Sequence, residues 1–96
     1  MRVYEVLFIV APNVEEGDVE ALVTQMSEVA TNQGARVAKV DRMGRRRLAY
    51  SIEKKYEGIY AVVDLTSEPD AVKELDRQLN LNEAILRTKI LRPGRH

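Results

Sequence analysis

The sequence has 96 residues, with 15 basic residues balanced by 15 acidic residues, and it contains no cysteine. A chain of this length supports one modest core, so we expect residues 1–96 to form a single domain. The composition excludes disulfides, thiolate metal sites and thiol nucleophiles, and no apolar run approaches the roughly 20 residues of a membrane span. These properties predict a cytoplasmic protein.

The charges are unevenly distributed along the chain. Residues 1–34 carry one cation and six carboxylates, whereas residues 35–60 carry eight cations and three carboxylates. A net charge of zero argues against a free-standing, tight nucleic-acid binder, but it leaves room for a basic edge that binds RNA with help from a partner. The alternative is that these charged side chains are only the water-exposed residues of strand edges and helix faces.

The first third of the chain predicts a strand and a helix. Residues 2–10 are apolar on both faces after Glu5, which is typical of a central strand, and Pro12 ends it. Residues 16–33 have helical spacing of apolar side chains, and Gly34 follows where a left-handed cap belongs. The stripe on this helix is expected to enter the core: Val19, Leu22, Val23, Met26, Val29 and Ala30.

Residues 42–65 alternate apolar and polar side chains on both sides of a charged turn, which predicts a hairpin. Met43 and Gly44 are expected to mark a bulge within one long edge strand that begins at Arg36. The second arm, residues 59–65, is β-branched enough to be a central strand. Six cations against one Glu between Arg42 and Lys55 suit the binding of phosphate.

The last third predicts a helix and a final strand. Ser67 is expected to cap the helix, with Pro69 in its first turn and its end near Asn80. Residues 84–91 form the last strand, with Arg87 and Lys89 on the same face.

This β-α-β-β-α-β order predicts an α+β, ferredoxin-like sandwich. Right-handed crossovers interleave two β-α-β halves into a four-stranded antiparallel sheet of order 4-1-3-2, with both helices on one face. Strand alternation then turns an apolar set toward the open face, and a contiguous patch of this kind indicates a protein partner. The candidate partner contacts are Val3, Leu7, Ile9, Tyr60 and Val62. Tyr4 and Tyr50 are instead expected to pack in or beside the core.

Neither base stacking on the sheet nor catalysis is favoured. An RNA-recognition domain presents several rings on its third strand, and residues 58–65 offer only Tyr60. We find no Gly-rich phosphate loop, paired catalytic carboxylates, nucleophile with a usable histidine, or metal-ligand cluster. Residues 11–14, after the first strand, also lack the arginine of an acylphosphatase-like hydrolase. The chain is therefore not expected to be an enzyme.

Several motifs along the chain match a known family. They are R-x-Y-E-V at Arg2–Val6, A-P-N at Ala11–Asn13, G-A-R-V-x-K-V at Gly34–Val40, G-R-R-R-L-A-Y-S-I-x-K at Gly44–Lys54, and G-x-Y at Gly58–Tyr60. In this order and spacing the sequence resembles the family of the sixth protein of the bacterial small ribosomal subunit. One departure is Ser51, which stands where the family usually has proline and so restores a backbone N–H.

The resemblance implies a non-enzymatic ribosomal component of the translation machinery. Its partners would be the central domain of small-subunit ribosomal RNA and the subunit's eighteenth protein as a heterodimer, with no cofactor, metal, membrane or small-molecule substrate. Arg2 and Arg87 are expected to lie close together, because strands one and four are neighbours. The candidate phosphate contacts are Arg2, Arg45, Arg46, Arg47, Lys54, Lys55, Arg87, Lys89 and Arg92.

One alternative function remains open at this point. A stand-alone binding or regulatory module of the same fold would self-associate through its open sheet and bind a small anion at the basic edge. Self-association of the pure protein would distinguish it from a protein that stays monomeric until a different partner arrives.

Overall fold

The computed structural model of the chain describes residues 1–52 and 54–91. The strands and helices are β1 (Arg2–Val10), α1 (Glu16–Asn32), β2 (Arg36–Ile52), β3 (Lys55–Ser67), α2 (Pro69–Leu81) and β4 (Ile85–Leu91). The sheet order is β2-β3-β1-β4 and every neighbouring pair is antiparallel, which confirms the predicted ferredoxin-like topology. Within these two ranges, no helix has the length and apolar character needed to cross a membrane.

The core lies between the sheet and the two helices. Alternate residues of β1 and β3 enter it, among them Val6, Phe8 and Val63, which are almost completely buried. Leu75 and Leu79 of α2 pack against them, with the predicted stripe of α1 alongside. Tyr4 is also buried in this cluster, as predicted.

Gly34 ends α1 in the way the sequence predicts. Its φ angle of +88° lies in the left-handed region, where a residue with a Cβ is strained. The Gly34 N–H donates to the Thr31 carbonyl and the Ala35 N–H donates to the Ala30 carbonyl, each at 3.0 Å. These two bonds are those of a Schellman cap, so the chain turns sharply into β2.

The predicted capping role of Ser67 is wrong. The residue preceding α2 is Glu68, which makes no side-chain capping hydrogen bond. Ser67 is instead the last residue of β3, paired with Arg2, and strand alternation buries its side chain in the core. Its hydroxyl donates to the Glu68 carbonyl at 3.1 Å and does not cap the helix.

β2 is a single 17-residue edge strand, as the sequence predicts. Its pairing with β3 shifts register between Arg42 and Gly44, and Gly44 has a φ angle of +84°. A glycine in this conformation permits the predicted bulge without strain. Beyond the bulge the strand continues through Ser51 to Ile52.

Candidate nucleic-acid interface

The distal part of the β2–β3 hairpin projects past the end of the sheet. The last paired residue of β1, Val10, lies opposite Ile59, whereas β3 begins at Lys55. Residues 55–58 of β3 therefore form about 13 Å of strand, at about 3.3 Å per residue, that lies beyond the end of β1 and pairs with β2 alone. Lys54 lies at the tip with a φ angle of +66°.

The three consecutive arginines of β2 lie on both sides of this edge strand. Arg46 pairs with Gly58 and faces the open side of the sheet, while Arg45 and Arg47, opposite Ile59 and Glu57, face the helix side. All three side chains are exposed. The edge therefore presents cations in two directions, which suits contact with phosphates on either side of it.

Arg42 does not belong to this free cationic surface. It lies on the helix side of β2 and forms an ion pair with Glu20 of α1. A groove of about 340 Å³ begins there, with an apolar floor that includes Val14, Val19 and Ile59. Its rim is mixed in charge: Glu16, Glu20, Arg42 and Arg45. This half-exposed ion pair links α1 to the base of the hairpin.

Arg87 is held by Tyr50, a contact that the sequence did not indicate. Its Nη1 donates to the Tyr50 hydroxyl, and the guanidinium carbon lies 5.2 Å from the centroid of the Tyr50 ring. β2 and β4 are opposite edges of the sheet, about 14 Å apart if it were flat. The hairpin therefore bends over the open face. The prediction that Tyr50 packs in or beside the core is wrong, because its side chain is 60% exposed.

Arg2 is not near Arg87. In the antiparallel register of β1 and β4, Arg87 lies opposite Ile9, seven residues along β1 from Arg2. This separation corresponds to about 23 Å, so the expected proximity is wrong. The error has a simple cause: neighbouring antiparallel strands bring opposite ends together. Arg2 lies at the end of the sheet away from the hairpin.

The remaining candidate cations have distinct positions. Lys89 pairs with Leu7 and lies on the open face beside Arg87, as predicted. Lys54 is exposed and Lys55 is half-buried. Arg92 lies outside the described residues. Among residues 1–52 and 54–91, none of the candidate cations forms an ion pair with a carboxylate.

The open face of the sheet carries apolar side chains on its two central strands, but Glu5 and Asp64 interrupt them between Val3 and Leu7, so the predicted apolar patch is not contiguous. Leu7 pairs with Val62, and both are half-buried, while Val3 is 54% exposed. Tyr60 is half-buried in the next row toward the hairpin, opposite Ile9. These residues face the side predicted for them.

Ile9 lies on the open side but is not available as a contact surface. It is only 6% exposed. It packs over Gly58, where an added Cβ would lie 2.3 Å from Ile9 Cγ2 and 3.6 Å from Leu48 Cδ2. The hairpin therefore covers this side chain, and Ile9 cannot contact a partner unless the hairpin moves.

No group of three or more His, Cys, Asp or Glu residues suited to a metal ion occurs within residues 1–52 and 54–91. The candidate surfaces on the described chain are two: the cationic hairpin, which we define as residues 45–47 with Lys54 and Lys55, and the open face of the sheet.

Comparison with known proteins identifies close relatives. The family model for ribosomal protein S6 matches residues 3–92. The small ribosomal subunit protein bS6 of Streptomyces coelicolor is 56% identical over 96 residues, all of both chains. The bS6 protein of an Arthrobacter species is 59% identical over 93 residues, 97% of this chain and 92% of that protein. The crystal structure of 30S ribosomal protein S6 from Thermotoga maritima has a TM-score of 0.90 at 35% identity, covering 95% of this chain and 86% of that one.

Proposed function

The chain belongs to the ribosomal protein S6 family, and we propose that it binds the central domain of small-subunit ribosomal RNA as a heterodimer with the subunit's eighteenth protein. Family membership makes it a component of the small ribosomal subunit, located on the ribosome in the cytoplasm, and not an enzyme. The finer assignment concerns which surfaces meet RNA and which meet protein.

The cationic hairpin is the observation that carries the RNA assignment. Arg45, Arg46 and Arg47 are exposed and, within the described part of the chain, engaged by no carboxylate. Arginine presents a planar fork of N–H donors that fits phosphate oxygens in pairs. Such contacts position a protein on RNA without reading its sequence. We therefore assign the hairpin to the ribosomal RNA backbone.

Arg87 and Lys89 extend this cationic surface toward β4. The Tyr50 contact brings the hairpin to Arg87 and leaves the other N–H groups of that guanidinium free for phosphate. Arg2 is separated from these residues along the sheet. If Arg2 binds RNA, it therefore does so at a second place on the protein.

The apolar open face is assigned to the protein partner. Leu7, Tyr60 and Val62 form an apolar strip on the two central strands, and Val3 lies beyond the row that holds Glu5 and Asp64. RNA phosphate gains nothing from such a strip, whereas burial of an apolar surface drives protein association. The near-neutral net charge fits a protein that binds RNA weakly alone and tightly with a second, docked protein.

Binding to a central-domain RNA fragment, measured by filter retention with and without the eighteenth protein, tests this proposal. We expect tight retention only when both proteins are present, and a 1:1 protein complex in sedimentation. Equal RNA binding in the absence of the partner would contradict the heterodimer. Self-association of the pure protein, with no retention in either condition, would instead favour the self-associating module.

A further inference from the structure

An aromatic ring is exposed at the tip of the cationic hairpin. Tyr56 follows Lys54 and Lys55 at the start of β3, and its side chain is 69% exposed. Among residues 1–52 and 54–91, the one cation–π contact joins Arg87 to Tyr50, so no cation of these residues covers the Tyr56 ring. The ring is therefore free to receive a flat ligand.

One of the cations near Tyr56 lies on the same side of the hairpin. Alternation along β3 turns Tyr56 and Gly58 to the open side, and Arg46, the partner of Gly58, faces that side too. Tyr56 and Arg46 are thus diagonal neighbours across the two strands, about 7–8 Å apart, a spacing that aromatic and long side chains span. One nucleotide can therefore place its base on the ring and its phosphate against the guanidinium.

Tyr56 is separate from the apolar strip assigned to the protein partner. Tyr60, the nearest residue of that strip, lies four residues further along β3, which corresponds to about 13 Å of strand. Between them lies Gly58, with Ile9 packed over it. An exposed ring set among cations is instead typical of single-stranded nucleic-acid sites, where bases stack on aromatic side chains and cations follow the backbone.

We propose that Tyr56 stacks on an unpaired base of the ribosomal RNA while Arg46 holds the phosphate of the same nucleotide. The inference rests on the RNA assignment of the hairpin under the proposed function, and it adds a base to the phosphate contacts. An unpaired base fits because bases in loops and bulges are splayed out, whereas those of a helix are stacked on each other. Stacking accepts any base, so it selects a single-stranded place in the RNA and not a sequence.

Substitutions of Tyr56 test the stacking through the affinity of the two-protein complex for the central-domain RNA fragment. Tyr56→Ala should bind about 5- to 150-fold more weakly, the loss expected for one stacked base. Tyr56→Phe keeps a flat ring and should recover most of that affinity, whereas Tyr56→Leu keeps only apolar bulk and should bind as weakly as Tyr56→Ala. Undiminished binding by Tyr56→Ala or by Tyr56→Leu would overturn the proposal.

The salt dependence of binding separates this proposal from the phosphate contacts. Tyr56→Ala removes no charge, so its affinity should be lower at every salt concentration but fall with salt at the slope of the unchanged protein. Arg46→Gln should make that slope shallower. If Arg46→Gln changes the slope and Tyr56→Ala leaves the affinity unchanged, the hairpin binds RNA but the stacking is wrong. If neither variant changes RNA binding, the assignment of the hairpin to RNA fails as well.

Fluorescence of the variant Tyr56→Trp reports the stacking directly. The chain contains no tryptophan, so this variant carries a single indole, and stacking on a base quenches indole emission. We expect the RNA fragment to quench that emission in the two-protein complex, after subtraction of the same titration with the unchanged protein. Leu81→Trp, at a similarly exposed position (66%) at the end of α2, is the matched control and should keep its emission. Unquenched emission of Tyr56→Trp at saturating RNA would contradict the proposal.

Discussion

Replacement of Gly58 by alanine should destabilise the protein by forcing Ile9 out of its position. A Cβ at Gly58 would lie 2.3 Å from Ile9 Cγ2, whereas carbon atoms in contact are about 3.5–4.0 Å apart. Ile9 is almost fully buried between the sheet and the hairpin, so it has little room to move. Overpacking of this kind costs about 1–3 kcal/mol of unfolding free energy.

Thermal and urea unfolding measure this effect. For a protein of this size the loss corresponds to a decrease of about 4–20 °C in the unfolding temperature. Gly17→Ala is the matched control, because its added Cβ meets nothing within 4 Å. Gly17 lies in the first turn of α1, so this control should leave the stability unchanged or raise it by less than about 1 kcal/mol.

A double-mutant cycle identifies the cause. Ile9→Ala removes the methyl group that collides with the new Cβ, so Gly58→Ala should cost much less in the Ile9→Ala background. The reasoning is refuted if Gly58→Ala unfolds at the same temperature as the unchanged protein. It is also refuted if the two substitutions are simply additive.

Two further predictions concern surface charges. The double variant Arg46→Glu with Arg47→Glu should weaken assembly on the RNA fragment by about 10- to 100-fold, because charged contacts are lost. Its circular dichroism and unfolding temperature should be unchanged. Loss of folding or unchanged assembly would count against the hairpin assignment. The Arg77 side chain, by hydrogen bonding to Glu74, holds the pKa of that carboxyl below its usual value. The contribution of the Glu74–Arg77 contact to stability is thus present above the usual pKa and lost as the pH falls through the lowered pKa. The difference in unfolding temperature between the unchanged protein and Glu74→Gln should therefore shrink on acidification. A constant difference from pH 7 to pH 2 would contradict this prediction.

The elements and their order could be predicted because they depend on local patterns. The alternation of β1, the apolar stripe of α1 and the glycine that follows it each specify a conformation within a few residues. The bulge near Gly44 was also predictable, because a glycine interrupts an otherwise continuous strand. Once the order was known, the handedness of crossovers left few topologies.

The details of the candidate site depended on contacts that no local pattern encodes. Ile9 has the right parity for an exposed residue, but the hairpin packs over it through Gly58. The Tyr50–Arg87 contact joins residues 37 positions apart on opposite edges of the sheet. Alternation along a strand indicates which face a side chain occupies, and only the bend of the hairpin decides whether that face is covered.

The opposition of Glu5 and Asp64 on the open face could have been found in part from the sequence. Glu5 interrupts the apolar run of the first strand, and Asp64 interrupts that of the third. Their direct opposition could not be predicted, because it depends on the register of β1 against β3. A shift of one residue in that register would place the two side chains on opposite faces of the sheet.

The measurement that tests the central claim most directly is a salt titration of the two-protein complex on the central-domain RNA fragment. The unchanged protein is compared with a variant in which Arg45, Arg46, Arg47, Lys54 and Lys55 are all replaced by Gln. The logarithm of affinity falls with the logarithm of salt concentration by about 0.7–0.9 for each phosphate neutralised. If each of these five side chains holds one phosphate, the variant's slope should be shallower by about 3.5–4.5. An equal slope for both proteins would mean that the hairpin touches no phosphate and would contradict the account.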